Sequence, residues 1–369
     1  MALKLVQSPL SMPPYYHYRR PPFVRHITPP HIVSRTLSIK HVASSLHHDS
    51  RMSQIKQFTP AALQTSDRIA TAYITSDVKT EKPIRPFWER EWLPNDIFRF
   101  VLFVGIHLVC LSAPFYFTWP AFWLGFALYI VTGLFGITLS YHRNLTHRSF
   151  NLPKWLEYTC AYCGVLAGQG NPLDWVSTHR YHHQFTDTSK DPHSPNEGFW
   201  FSHMKWIVDR TYLTKKCGEP DNVSDLRKQP FYRFIESTYY LHLLASSIAL
   251  FAAGGIPFFV WGGAMRAVFV IHITFMVNSV CHIWGERVWN TSDLSKNNWW
   301  VALLSFGEGW HNNHHAFEYS ARQGFEWWQI DMTWGVIRML EALGLATDVK
   351  LPTEQQKKRM ALKNSIVAR

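Results

Sequence analysis

The chain has 369 residues, 47% hydrophobic and 15% aromatic, with a formal net charge of +11 and a mean hydropathy of -0.14. Its five cysteines (Cys110, Cys160, Cys163, Cys217, Cys281) are an odd number scattered over a long chain, which excludes a disulfide scaffold. The charge does not point to nucleic acid either. Eight Lys/Arg face a single acidic residue, Asp49, before residue 67, the rest of the chain is nearly balanced with 29 basic and 25 acidic residues, and no basic patch is interleaved with aromatics.

Residues 1–66 lack a periodic apolar pattern and are rich in Pro, Ser, His and Arg. Poor in acid and without the apolar core of a secretory signal, they have the composition of an organelle transit peptide. Residues 67–86 read as a polar linker. Four apolar runs follow: Ile97–Phe117, Ala121–Tyr141, Tyr239–Gly255 (extended if it begins near Phe231) and Ile256–Val280. Each approaches or reaches the roughly 20 residues that cross a bilayer core. Pro120 and the Gly254-Gly255-Pro257 cluster punctuate the turns. The expected fold is therefore an all-α integral membrane protein with four transmembrane helices in two hairpins. The isolated polar residues within the runs, His107, His242, His272 and Arg266, should face the bundle interior. Cys160 and Cys163 lie in an apolar stretch and read as packing thiols.

With four spans, the polar segments Arg143–Pro230 and Cys281–Arg369 share one face of the membrane as a histidine-rich cap. Residues 87–351 form the expected membrane domain and 352–369 a basic tail. Lys350–Arg369 nets +5, which places this face in the stroma or cytosol.

Twenty histidines are present, six of them before Asp49. Of the other fourteen, nine stand out. His142 and His147 form HxxxxH; His179, His182 and His183 form HxxHH; His311, His314 and His315 form a second HxxHH; and His282 follows the fourth run. Residues at i, i+3 and i+4 share one helix face, so each HxxHH can aim three imidazoles at one point. Eight or nine imidazoles on one face exceed the needs of one ion and imply two metals, with Zn, Fe, Cu or Ni all suited to imidazole. A zinc hydrolase keeps three protein ligands, and a metal transporter needs ligands at mid-membrane depth; neither pattern is present. His193 and His203 are candidates for orienting ligand rings. Asn278, one helical turn before His282, is placed to hold a metal-bound water. The glycines of GQGNP and FGEGW read as turns.

HRNLTH, HRYHH and HNNHH, in this order around a hydrophobic hairpin, resemble the three histidine boxes of the membrane fatty-acid desaturases. The resemblance covers roughly Trp88–Leu351, and WEREW, DPHSP, GFWFSHM and GEGWHNNHHAFE are similar to the plant chloroplast acyl-lipid branch. It implies two Fe ions held by His142, His147, His179, His182, His183, His282, His311, His314 and His315, with Asn278 holding a water. It implies an O2-dependent enzyme that places a cis double bond in a saturated chain, palmitoyl at delta-7, of a chloroplast glycerolipid such as monogalactosyldiacylglycerol. The alternatives are a delta-9 position on acyl-lipid or acyl-CoA, or a related hydroxylation. Ser177 and Thr178 stand where the animal acyl-CoA desaturases of this family carry an Arg-Asp pair before the second box, which favours a lipid-linked chain. No cytochrome b5-like module is recognisable, so the resemblance implies a separate electron donor, ferredoxin in a plastid, with the endoplasmic reticulum as the alternative location. Trp88, Trp92, Trp299, Trp300, Trp327 and Trp328 could line an acyl tunnel, although aromatics of this kind more often belong to the core or to an interfacial belt. Substrate contacts and oligomeric state are not encoded in these motifs.

Overall fold

The structure is a computed structural model that describes residues 89–362. The expected transit segment, the linker and the end of the basic tail lie outside the described residues.

Proline starts several of the helices. Pro94, Pro120, Pro172 and Pro230 each stand in a first turn, where a fixed φ helps and the missing N–H has no intrahelical partner to lose. Helix α1 is Pro94–Cys110. It stops earlier than the apolar run predicts, because Pro114 forces the following residues into a tight turn at Ala113–Tyr116. Helix α2, Trp119–Thr146, is capped by the Thr118 side chain, which accepts from the Ala121 N–H. From Ile130 onward it winds in wide π-type turns. Helices α3 (Lys154–Val165) and α4 (Pro172–Phe185) follow, α4 capped by Asn171.

Helix α5, Pro230–Phe258, is broken by non-helical dihedrals at Gly254 and Gly255, the latter at φ 62°. Beyond the break a π-type stretch, Phe259–Met265, leads into α6, Arg266–Ile283. Leu250 lies only 3.2 Å from where a Cβ on Gly262 would sit. Along one continuous helix those residues would stand roughly 18 Å apart, so the chain reverses here. Several shorter helices belong to the cap, among them α7 (Trp299–Leu304), α8 (His311–Ala316) and α9 (Met332–Ala342), with Asn298 and Asp331 as side-chain caps of α7 and α9. Among the described residues there is no strand, only isolated bridges.

The core is the seam where α2 meets α3, α4 and α6, built on Leu134, Ile137, Tyr141, Leu173, Val176 and Ile273. Two stretches, Trp119–Thr146 and Pro230–Ile283, are long and apolar enough to cross a membrane. Leu108, Phe115, Leu241, Leu244, Ile248 and Phe251 point large apolar side chains outward. Inside, His107 pairs with His272 (2.9 Å), and buried Arg266 donates to the carbonyls of Leu166 and Gly262. His242 reaches Thr238 and Tyr162 at a partly exposed position. Cys160 packs in the core, as its apolar setting suggests.

Helices α2 and α3 touch backbone to backbone at Gly136. A Cβ there would lie 2.5 Å from the Gly164 nitrogen and 2.6 Å from the Cys163 carbonyl carbon. Backbone cannot rotate away as a side chain can, so Gly136→Ala must pry the helices apart. Overpacking of this kind costs about 1–3 kcal/mol, and thermal unfolding in detergent should show a Tm several degrees lower than the parent's; an unchanged Tm would contradict the close contact.

Candidate metal centre

All nine predicted histidines meet in the cap, in two buried groups. His142, His147, His179, His183 and His314 form one, and His182, His282, His311 and His315 the other; within each, the ligand-type nitrogens lie within 4.8 Å of one another. Helix α2 delivers the first pair through its unusual winding. In an α-helix residues five apart point to different faces, but in π-type turns the N–H of residue i+5 closes onto the carbonyl of i. The His147 N–H does this with the His142 carbonyl, at 3.2 Å, and brings the two rings to 4.7 Å. Helices α4 and α8 each supply an HxxHH face, and α6 ends on His282.

Carboxylates fix how these rings point. The Nδ1 of His142 lies 2.5 Å from Glu308, that of His182 3.0 Å from Asp191, and that of His183 3.2 Å from Glu318. His282 Nδ1 lies 3.1 Å from Asp187 and His315 Nδ1 3.2 Å from Asp293. A carboxylate only accepts, so each of these imidazoles keeps its proton on Nδ1 and turns a bare Nε2 lone pair inward. His314 Nε2 stands 3.1 Å from His142 Nε2 and 3.0 Å from His183 Nε2. His311 Nε2 stands 3.0 Å from both His282 and His315 Nε2. One N–H on His314 or on His311 can serve only one of its two neighbours. His147 Nε2 and His182 Nε2 are buried with no partner at all. Crowded lone pairs and orphaned buried nitrogens are what a metal-binding donor set looks like, and these two clusters could each hold a metal ion.

Behind the rings lies a second buried network. Arg143, fully buried, donates to Glu308 (2.9 and 3.0 Å), to Asp331 (3.1 Å) and to the Ala321 carbonyl (2.8 Å). It ties the first histidine box to the third. Asp331 also caps α9, and Gly307 at φ 120° leaves it room, since a Cβ there would lie 2.4 Å from its Oδ1. The GEGW glycines are turns, as expected, and this one is required by close approach.

A slot of about 80 Å³ borders the histidines, walled by Ile137, Trp175, Phe275 and Phe306 and reaching His142, His179, His311 and Asn278. Gln169 stands in its wall, donating to Thr274 (2.9 Å) and accepting from the Trp175 indole (3.3 Å). Of the tryptophans weighed for an acyl tunnel against the core or an interfacial belt, none among the described residues lines the slot: Trp92, Trp299, Trp300, Trp327 and Trp328 are absent from its wall, and Trp327 is 91% exposed. Trp88 lies outside the described residues. The slot is lined instead by Trp175 and Trp206. His193 sits beside Asp191 and 4.4 Å, ring to ring, from His182, at the rim of the second group. His203 turns away, to Ser279 and His272. The five orienting carboxylates were not legible beforehand; Asp187 and His282 are 95 residues apart, and only Asp191 lies near its ring in sequence, 9 residues after His182.

The chain belongs to the fatty acid desaturase family, whose model matches residues 117–346. It is an oxidoreductase. It is 60% identical over 306 residues to the chloroplastic palmitoyl-monogalactosyldiacylglycerol delta-7 desaturase of Arabidopsis thaliana, covering 83% of this chain and 82% of that one. It is 58% identical to delta-9 acyl-lipid desaturase 2 of the same plant, over 75% of this chain and 90% of the relative. An acyl-CoA 5-desaturase of Anemone leveillei is 56% identical, over 83% and 96%.

Burial, and after it the charge of neighbouring imidazoles, holds His147, His179, His311, His314 and His315 well below the ordinary histidine range. His183 is lowered to about 4, burial outweighing its Glu318 hydrogen bond. His182 goes the other way: burial opposes its charge, but Asp191 prevails and raises it. Unfolded histidines titrate near pH 6.5, so below that pH the unfolded chain binds more protons than the folded one. The metal-free protein should therefore lose stability as pH falls through 6.5 toward 4. Thermal unfolding of chelator-stripped protein at pH 8, 6.5 and 5 measures this; a flat Tm across that range would contradict it.

Proposed function

We propose that the two histidine groups hold two iron ions, five imidazoles on one and four on the other, with Asn278 holding a water on the four-histidine ion. The protein then places a cis double bond in a saturated acyl chain of a plastid glycerolipid, palmitoyl at delta-7. The observation that carries the reading is the convergence of bare Nε2 lone pairs directly above an apolar slot. The printed name of the chloroplastic Arabidopsis relative supports the choice of lipid and position.

The reaction converts CH2–CH2, O2, two electrons and two protons into CH=CH and two waters. Bound iron supplies the oxidising power that unactivated C–H bonds need. The chain's own residues do the rest. Gln169, Trp175 and Thr274, hydrogen-bonded to one another in the wall of the slot, help to present one pair of methylenes to the histidine face. The carboxylates keep the ligand rings in one tautomer and orientation. Apolar walls exclude water from the reacting carbons.

In the membrane, α1 with α2 and α5 with α6 form two hairpins of four spans, their outward Leu, Ile and Phe side chains facing lipid. Both α2 and α6 end at the metal site, and α1 and α5 begin on that side, which the basic tail assigns to the stroma. Plastid location follows the chloroplastic relatives, with residues 1–66 as the targeting segment and the endoplasmic reticulum as the alternative. Electrons come from ferredoxin, a separate acidic carrier that can dock on the basic tail.

Expression with a ferredoxin system should add a delta-7 double bond to the palmitoyl chains of galactolipids, read from fatty-acid methyl esters with double-bond positions. His182→Ala and His314→Ala should each bring product to background and lower the iron content of the inserted protein. Full activity in both variants would sink the ligand assignment; a delta-9 product would move the substrate reading to the delta-9 alternative.

A further inference from the structure

A second cavity, of about 610 Å³, adjoins the slot and contains none of the nine histidines. It runs between α1 and α5, walled by Leu102, Gly105 and Val109 on one side and Leu243, Ser246 and Leu250 on the other. From Arg99 to Val109 the α1 wall is roughly 15 Å long at the helical rise. That is about half of a ~30 Å hydrocarbon core, the depth of one lipid leaflet. Val101 and Tyr240 on its rim are exposed, so the groove opens sideways to whatever surrounds the helices.

The two cavities meet at a polar junction. Arg99, Gln169, Gly170, Asp174 and Ile207 line both. Asp174 accepts from Arg210 at 3.0 Å and stands 3.9 Å from Arg99, whose Nε is buried and has no hydrogen-bond partner. A buried guanidinium N–H in that state is open to a ligand oxygen.

We propose that this groove seats the second acyl chain of a diacyl glycerolipid, while the first chain enters the slot and the ester and head-group oxygens lie at the Arg99–Asp174 junction. The inference rests on the acyl-lipid reading above and adds where that substrate is recognised. A chain carried as a single thioester uses the slot alone. A diacyl lipid uses both cavities, gains the burial of its second chain, and has its glycerol anchored at the junction. Distance along the first chain is then counted from that anchor to the metals, which makes the junction a determinant of double-bond position.

Two bulky variants on facing walls test this. A Cβ on Gly105 meets nothing within 4 Å, so Gly105→Phe projects into the groove, and Ser246→Phe does so from α5. The substrates are palmitoyl monogalactosyldiacylglycerol, its lyso form with one palmitoyl chain, and palmitoyl-CoA. In each variant the ratio of kcat/KM for the diacyl over the lyso lipid should fall by about tenfold or more, which is about 1.4 kcal/mol. The lyso reaction reports folding and iron loading in the same preparation. A diacyl galactolipid with a diazirine at the end of its non-reacting chain should label peptides of α1 and α5 around Val109 and Leu250. An unchanged ratio in both variants overturns the groove while leaving desaturation of the diacyl lipid intact. If the parent protein turns over palmitoyl-CoA and neither galactolipid, the acyl-lipid reading falls and takes the groove with it.

Discussion

Everything in the cap depends on one electrostatic constraint: several imidazole lone pairs are forced to share a small buried volume. Glu308, Glu318, Asp187 and Asp293 accept the Nδ1 protons of His142, His183, His282 and His315, so their Nε2 atoms cannot also be donors. At 3.0–3.1 Å from His311 and His314 these atoms have nowhere to turn. A cation between them converts mutual repulsion into coordination. The arrangement is tolerable without one only because the surrounding helices hold the rings in place.

That holding is costly in itself. Arg143, Glu308 and Asp331 form a buried ion cluster, and buried ion pairs are weak contributors to net stability. Their worth here is geometric. Arg143 follows His142 in sequence, Glu308 precedes His311 by three residues, and Asp331 starts α9, so a single guanidinium locks three parts of the cap into one register. The π-type winding of α2 belongs to the same device. It widens the helix at the place where His142 and His147 must face the same way, a use of irregular winding that recurs at functional sites.

Below the cap, two cavities of different size adjoin. The slot reaches the histidines and is lined by Trp175, Gln169 and Thr274, which hydrogen-bond to one another. The larger groove lies between α1 and α5 and contains none of the nine histidines. Between them stands the polar junction at Arg99 and Asp174, which lines both.

The local pattern of the sequence determined a good deal by itself. Helix periodicity makes HxxHH a one-face motif, so the nine histidines were legible as a set, as were the four apolar segments and the break at Gly254-Gly255. The extent of α1 was not, because Pro114 ends it inside an unbroken apolar run. Nor were the slot walls: Trp299, Trp300, Trp327 and Trp328 are exposed, while Trp175 and Trp206 line the cavity. The partition of nine histidines into five and four, the carboxylates paired with five of the rings and the junction of two cavities were decided only by tertiary structure. His183 and His182 are neighbours in sequence yet fall in different groups, and Asp187 meets His282 across 95 residues. Spacing along a helix fixes direction within one element, whereas which elements converge, and at what distance, is a property of packing alone.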